Sequence, residues 1–236
     1  MIDTVKFARY CDEYGLSVSE ACIQRLDRFA ALLMQKNERV NLTAIKDPEE
    51  IAQKHLLDSL LVFKYAVFFE GARVIDVGCG AGFPSFPMLL AREDLHITFL
   101  DSTAKKLAFI HESLEEFGLQ ATVLHARAEE EARKSVSRET YDFAVARAVA
   151  NLRSLAELTL PFVKTGGYFL ALKGKEGEEE LAQAETAIQT LGGEVHNCSA
   201  FSLPDGSKRT IIIIKKISQT PPKYPRASTA ISKKPL

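Results

Sequence analysis

The rhythm of hydrophobic positions changes once along this 236-residue chain, near residue 72. Before that point the spacing is helical. In SVSEACIQRLDRFAALLMQKNERV, residues Ala21, Cys22, Leu26, Phe29, Leu32 and Leu33 recur at helical spacing and form one apolar stripe. Ser17, followed three residues later by Glu20, has the capping-box pattern of a helix start. Asp47-Pro48 predicts a second start, a cap followed by a first-turn proline. Residues 1–70 therefore read as a helical cap.

Beyond residue 72, short apolar runs alternate with amphipathic ones. Strands are expected at Arg73–Val77, Ile97–Asp101, Thr122–His125, Phe143–Ala146, Tyr168–Leu172, Glu194–Phe201 and Thr210–Lys215, with helices at 84–92, 104–117, 153–162 and 176–191. Repeated βαβ units imply a mostly parallel sheet with helices on both faces. No helical stretch separates the last two strands, only Leu203–Ser207 with its Pro-Asp-Gly turn. A hairpin there makes the last strand antiparallel. The expected fold class is α/β and Rossmann-like, in three stretches: the helical cap 1–70, an α/β core 71–217 and a tail 218–236. The tail is too rich in Pro, Ser and Thr to be expected as a packed element.

Composition narrows the classes of function. Hydrophobic residues are 46% and charged residues 26%, ordinary for a soluble globular domain. Apolar runs break well before the roughly 20 residues of a spanning helix. The first residues, MIDTVKFARYCDEYG, lack the apolar core of a signal peptide, so a cytoplasmic, monomeric protein without membrane contact is expected. Cysteines 11, 22, 79 and 198 and the five histidines form no ligand pattern, so no metal is expected. Charge is unevenly placed. From Lys208 onward there are eight Lys or Arg and no Asp or Glu, which leaves the remainder near −9. Such a tail suits an acidic partner, nucleic acid being the usual one, or is a solvated terminus.

The stretch VIDVGCGAGFP carries the first chemistry. Its strand carries Asp76 and runs into glycines at 78, 80 and 82. A dinucleotide fingerprint needs G-x-G-x-x-G and free N–H groups at the following helix for a pyrophosphate. Phe83 stands where the third fingerprint glycine belongs, and Pro84 and Pro87 remove N–H donors. The loop suits a ligand that lies flat on the backbone and has no phosphate, such as S-adenosylmethionine. Asp101, 23 residues after Gly78, is placed to accept ribose hydroxyls, or to cap the helix 104–117. Ala128, Glu129 and Arg147 follow the next two strands and face the same sheet edge.

The chain resembles the bacterial small-subunit (16S) ribosomal RNA guanine-N7 methyltransferases, once called glucose-inhibited division protein B. The resemblance rests on NLTAI (41–45), HLLDSL (55–60), DVGCGAGFP (76–84), DSTAKK (101–106), ARAE (126–129), DFAVARAV (142–149), KTGG (164–167), LKGK (172–175) and KYPR (223–226), in the family's order. It implies a class I S-adenosylmethionine-dependent methyltransferase acting on small-subunit RNA, free or in a ribosomal particle. The family's cofactor-contacting positions match Gly78, Phe83, Asp101, Ser102, Thr103, Ala128, Glu129 and Arg147; the loop reading adds Asp76, Gly80 and Gly82. Ser85-Phe86 stands where the family usually has glycine after the proline, and the tail after KYPR lacks the family's glycine.

Guanine N7 carries no proton, so its methylation needs alignment and no general base. Accordingly, Ala-Arg-Ala-Val (146–149) lacks the Asn/Asp-Pro-Pro-aromatic motif of exocyclic-amine methylation, and no Pro-Cys nucleophile is present. Arg147 is the side chain singled out, as a clamp on the cofactor carboxylate or on guanine O6, with a structural ion pair as the alternative. His55 and Asp58 share one helical face and are expected to pack or cap. Lys223, Tyr224 and Arg226 are read as RNA contacts, Tyr224 stacking on an unpaired base. The competing reading folds the tail back as a structural strap.

Overall fold

The computed structural model describes residues 1–147 and 149–236. Ala148, in the Ala-Arg-Ala-Val stretch, lies outside the described residues. Helices α1 (Thr4–Glu13) and α2 (Glu20–Asn37) open the chain. Ser19, not Ser17, caps α2, its hydroxyl accepting the Cys22 N–H at 3.2 Å. A capping serine must immediately precede the first helical residue, and Ser17 stands two residues too early. Asp47 caps the next helix as expected, accepting from Glu50 N at 3.0 Å with Pro48 in the first turn. That helical run comprises α3 (Pro48–Ile51), a π-helical turn (Ala52–Leu57), α4 (Asp58–Leu60) and α5 (Val62–Tyr65).

The rest alternates: β1 (Arg73–Val77), α6 (Ser85–Ala91), β2 (His96–Asp101), α7 (Ala104–Phe117), β3 (Thr122–His125), α8 (Ala128–Glu131), β4 (Tyr141–Arg147), α9 (Leu152–Thr159), β5 (Val163–Lys173), α10 (Gly177–Thr190), β6 (Gly193–Ser202), β7 (Lys208–Lys216) and α11 (Ser228–Lys233). The seven strands lie in the order β3-β2-β1-β4-β5-β7-β6. Neighbours from β3 to β5 are parallel, and β7 runs antiparallel to both β5 and β6. The strand order reverses between β1 and β4, which makes the carboxyl ends of those two strands the ligand crevice of an open sheet.

Successive side chains of a strand point to opposite faces, so the buried sheet feeds two cores. Val74, Phe99, Phe143, Val145, Leu170, Ile211 and Ile213 pack with the cap on one face. Ile75, Val77, Leu100, Ala144, Phe169, Ile212 and Ile214 pack with α9 and α10 on the other. Phe29 of α2 stacks on Phe86 of α6, with ring centroids 4.3 Å apart. The cap thus presses on the helix that follows the glycine loop.

The tail departs from expectation. It carries α11, buries Tyr224 to 6% exposure within the second core and buries Ile231. Pro, Ser and Thr disfavour regular structure but leave two apolar anchors able to dock.

Candidate functional site

The glycine loop is a turn whose N–H groups are nearly all spent inside the protein. Gly78 N and Cys79 N donate to Leu100 O, Gly80 N to Asp101 Oδ2, Gly82 N and Phe83 N to Cys79 O, and Phe86 N to Gly82 O. Ser85 N donates to Asp76 Oδ2 at 3.2 Å, and Pro84 has no N–H. Among the described residues only Ala81 N is left free in this loop. A pyrophosphate needs several converging N–H groups, so the loop is closed to one.

Beside it lies a cavity of about 290 Å³, lined by Val77, Gly78, Leu100, Asp101, Ser102, Lys106, Ala126, Arg127, Ala128, Glu129, Val149 and Leu158. Gly78, at φ +74°, permits the approach of a neighbour: a Cβ there would lie 2.7 Å from Val149 Cγ2. Asp101 accepts Thr103 N at 2.8 Å and Gly80 N at 2.9 Å, one on each oxygen. The carboxylate therefore locks the loop to the start of α7 and keeps spare lone pairs for hydroxyl donors. The two roles weighed for Asp101 are compatible in this geometry. Aliphatic walls, a carboxylate and no anion-binding nest fit a nucleoside-containing ligand without phosphate. S-adenosylmethionine meets that description.

Of the expected cofactor positions, Gly78, Asp101, Ser102, Ala128 and Glu129 line this cavity, and the exposed Thr103, next after Ser102, does not. Nor does Asp76. It is fully enclosed, holds α6 through Ser85 N, and has an unpartnered Oδ1. Burial pushes its carboxyl up to about 7. Gly82 also lies off the cavity wall; a Cβ there would meet Phe86 Cβ at 2.9 Å. Gly80 gives Lys106 room, its Nζ 4.0 Å from the absent Cβ. Phe83 is 6% exposed beneath the loop, stacked on the His55 ring at 4.4 Å. Val149 closes the DFAVARAV run, whereas the wall formed by Leu158 had no motif to announce it. Lys106, in the DSTAKK run, also lines the cavity.

Arg147 corrects the expectation of a free clamp. Its Nη1 donates to Lys54 O at 2.8 Å and to Asp58 Oδ2 at 3.0 Å, and its Nη2 donates to His55 Nδ1 at 2.9 Å. The ion-pair alternative is what the fold builds, because α4 and the π turn bring three acceptors over the end of β4. Arginine only donates, so His55 Nδ1 is bare and the ring proton sits on Nε2, donated to Thr43 Oγ1 at 2.8 Å. Burial first, and the Arg147 charge second, push His55 down to about 3, so the ring is neutral. Asp58 also meets Arg209 Nε at 3.3 Å. A second cavity of about 490 Å³ opens beyond this cluster, lined among others by Lys54, Asp58, Arg147, Lys173, Lys175 and Arg209.

Of the three side chains expected to contact RNA, two are engaged within the protein. Tyr224 is buried, and Arg226 donates Nε at 2.9 Å and Nη2 at 2.6 Å to the fully buried Glu157. Lys223 alone of the three is exposed. The acidic partner that the tail's charge called for is, at Arg209, Lys216 and Arg226, the protein itself. No group of three or more His, Cys, Asp or Glu is placed to hold a metal among the described residues. No helix among them is long and apolar enough to cross a membrane.

Comparison with known proteins agrees with this geometry. Among solved structures, an S-adenosylmethionine-dependent O-methyltransferase from Thermotoga maritima superposes with a TM-score of 0.53 at 16% identity, covering 80% of this chain and 72% of its own. An S-adenosylmethionine-dependent methyltransferase from Aquifex aeolicus gives 0.52 at 20% identity, covering 76% and 97%. At those identities the likeness is one of fold. In sequence, the ribosomal RNA small subunit methyltransferase G of Lachnoclostridium phytofermentans is 42% identical over 238 residues, covering 100% of this chain and 98% of that protein. That of a Geobacillus species is 41% identical over the full length of both. The family model described as rRNA small subunit methyltransferase G matches residues 22–212. A phosphate-free nucleoside cavity at the β1–β4 switch point and this length of matched sequence make the chain a member of the rRNA small subunit methyltransferase G family.

Proposed function

We propose that the protein transfers the methyl group of S-adenosylmethionine to N7 of a guanine in small-subunit ribosomal RNA, presented free or in a ribosomal particle. Residues 1–70 then form the cap, 71–217 the catalytic core and 218–236 a tail. The observation that carries the reading is the glycine loop, whose N–H groups are consumed internally beside a cavity that keeps a carboxylate for hydroxyl donors. Asp101 would take the ribose hydroxyls, Gly78 and Ala128 would lie against the nucleoside, and Ser102 and Glu129 would supply polar contacts at the rim. The bound cofactor supplies an electrophilic sulfonium methyl.

The titratable groups beside Arg147, His55 and Asp58, are occupied within the protein. Both nitrogens of His55 are engaged, and its ring stays neutral. Asp58 is shared between two guanidinium groups. That suits a nucleophile with an open lone pair and no proton to remove. A bidentate arginine on guanine O6 and N7, the common specific contact, would cover the reacting atom. With Arg147 turned into the cap, N7 stays open. A monomeric, cytoplasmic enzyme fits this reading. The test is transfer of labelled methyl from S-adenosylmethionine to small-subunit RNA and to small-subunit particles, with nucleosides identified by mass spectrometry. 7-Methylguanosine is expected; label absent from both substrates, or on another atom, overturns the reading.

A further inference from the structure

The tail is anchored on one side to the segment that follows α8 and on the other to α9, two stretches that adjoin the cofactor cavity. On one side, Arg133, just past α8, donates to Lys223 O at 3.4 Å and to Pro225 O. Arg138 donates to Thr220 O at 2.7 Å and Tyr224 O at 2.9 Å. On the other side, Arg153 of α9 binds Pro235 O at 2.8 Å and Leu236 O. Glu157 of α9, fully buried, receives Arg226 N at 2.7 Å, Nε at 2.9 Å and Nη2 at 2.6 Å. Among the described residues, Arg226 supplies every hydrogen bond to that carboxylate. At the root of the tail, Lys216 Nζ reaches Thr220 Oγ1 at 2.7 Å and Leu160 O at 2.8 Å.

These anchors adjoin the cavity. Ala128 and Glu129 at the start of α8 form one wall; Val149 and Leu158 form the facing one. Leu158 is the next residue after Glu157, so the side chain that meets the tail and the side chain that meets the ligand share one helical turn. Leu158 thus lies one residue from the tail's anchor on α9, and Ala128 five residues from its anchor at Arg133.

We propose that residues 220–236 are a clasp that sets the spacing of the α8 and α9 walls, with Arg226 as a positioning residue for the cofactor. The inference rests on the S-adenosylmethionine reading above. Linkage makes the coupling reciprocal: a docked tail raises cofactor affinity, and bound cofactor keeps the tail docked. A fork of two donors on a buried carboxylate is a geometry that lysine does not reproduce.

The test combines variants with the unmodified protein. Arg226→Ala should weaken S-adenosylmethionine binding by at least tenfold in calorimetry well below its melting temperature. Arg226→Lys should recover little of that, and the KM for RNA at saturating cofactor should stay put. A purely structural strap would lower the melting temperature and leave cofactor affinity unchanged, which overturns the proposal. Should neither variant fold, trypsin cleavage of wild-type protein after Lys223 decides. Saturating S-adenosylmethionine, at about 100 times its Kd, should slow that cut at least tenfold. An unchanged cleavage rate while calorimetry registers binding overturns the clasp; no binding to the wild type overturns the cofactor reading and the clasp with it.

Discussion

Arg147 shows how one side chain's role depends on its acceptors. Its guanidinium lies 5.0 Å from the Phe83 ring centre, beside the neutral His55 and the carboxylate of Asp58. Holding His55 near 3, against 6.5 when free, has a pH signature. Between those values the unfolded chain binds a proton that the native ring refuses, so stability falls as pH drops below 6.5, by at most about 1.4 kcal/mol per pH unit. Asp76 has the opposite sign. Its carboxyl, raised from 3.8 to about 7, contributes stability below 3.8 that is lost as pH rises through 7. Comparing wild type with His55→Gln cancels Asp76, and urea unfolding at pH 7 and pH 5 should show wild type losing about 2 kcal/mol more than the variant. Equal losses would remove His55 from this account. At Asp101, substitution by Ala should weaken S-adenosylmethionine binding by about 1.5–3 kcal/mol, the value of hydrogen bonds to a charged group. Calorimetry showing unchanged affinity would end the ribose assignment.

Among the elements, the β1-to-α6 turn leaves no room for a side chain at Gly78. Gly78 has φ +74°, and a Cβ would press on the branched Val149 side chain at 2.7 Å. An alanine in the left-handed region costs roughly 1–2 kcal/mol by itself. Gly78→Ala is therefore expected to lower thermal stability modestly and S-adenosylmethionine affinity by more than tenfold, because Val149 must move within the cavity wall. Calorimetry alongside a melting curve checks the split; a variant that binds as wild type would place the ligand away from Gly78. The π-helical turn at Ala52–Leu57 belongs to the same scale. Such turns are rare and frequent at functional sites. Here the turn carries His55, with Asp58 immediately following, onto Arg147.

At the scale of the molecule, cap, sheet and tail are joined by a few buried charges. Removing Arg226 leaves Glu157 as an unpaired buried carboxylate, a loss of about 3–5 kcal/mol. For a chain of this size that corresponds to a melting temperature lower by roughly 6–20 °C. Thermal unfolding of Arg226→Ala checks this, and a drop under a few degrees would mean that water reaches Glu157. Because the Arg226 guanidinium is spent on the buried Glu157, Arg226→Ala should leave the salt dependence of RNA binding unchanged. A flatter slope would restore the RNA-contact reading of the tail.

Periodicity, glycines and turn residues determined the α/β order, the antiparallel last strand and the absence of a phosphate nest, because these depend on neighbours within a few residues. Asp101 was legible for the same reason: strand end, loop and helix start are contiguous in sequence. The roles of Arg147, Arg226 and Tyr224 were decided only by tertiary structure. An arginine at a strand end reads the same whether it meets a ligand or a carboxylate from Asp58, 89 residues away. A basic tail reads as a polyanion-binding arm until Glu157, 69 residues upstream, is found buried beneath it. Charge along a chain is a local property, whereas the acceptor that neutralises it is chosen by the fold.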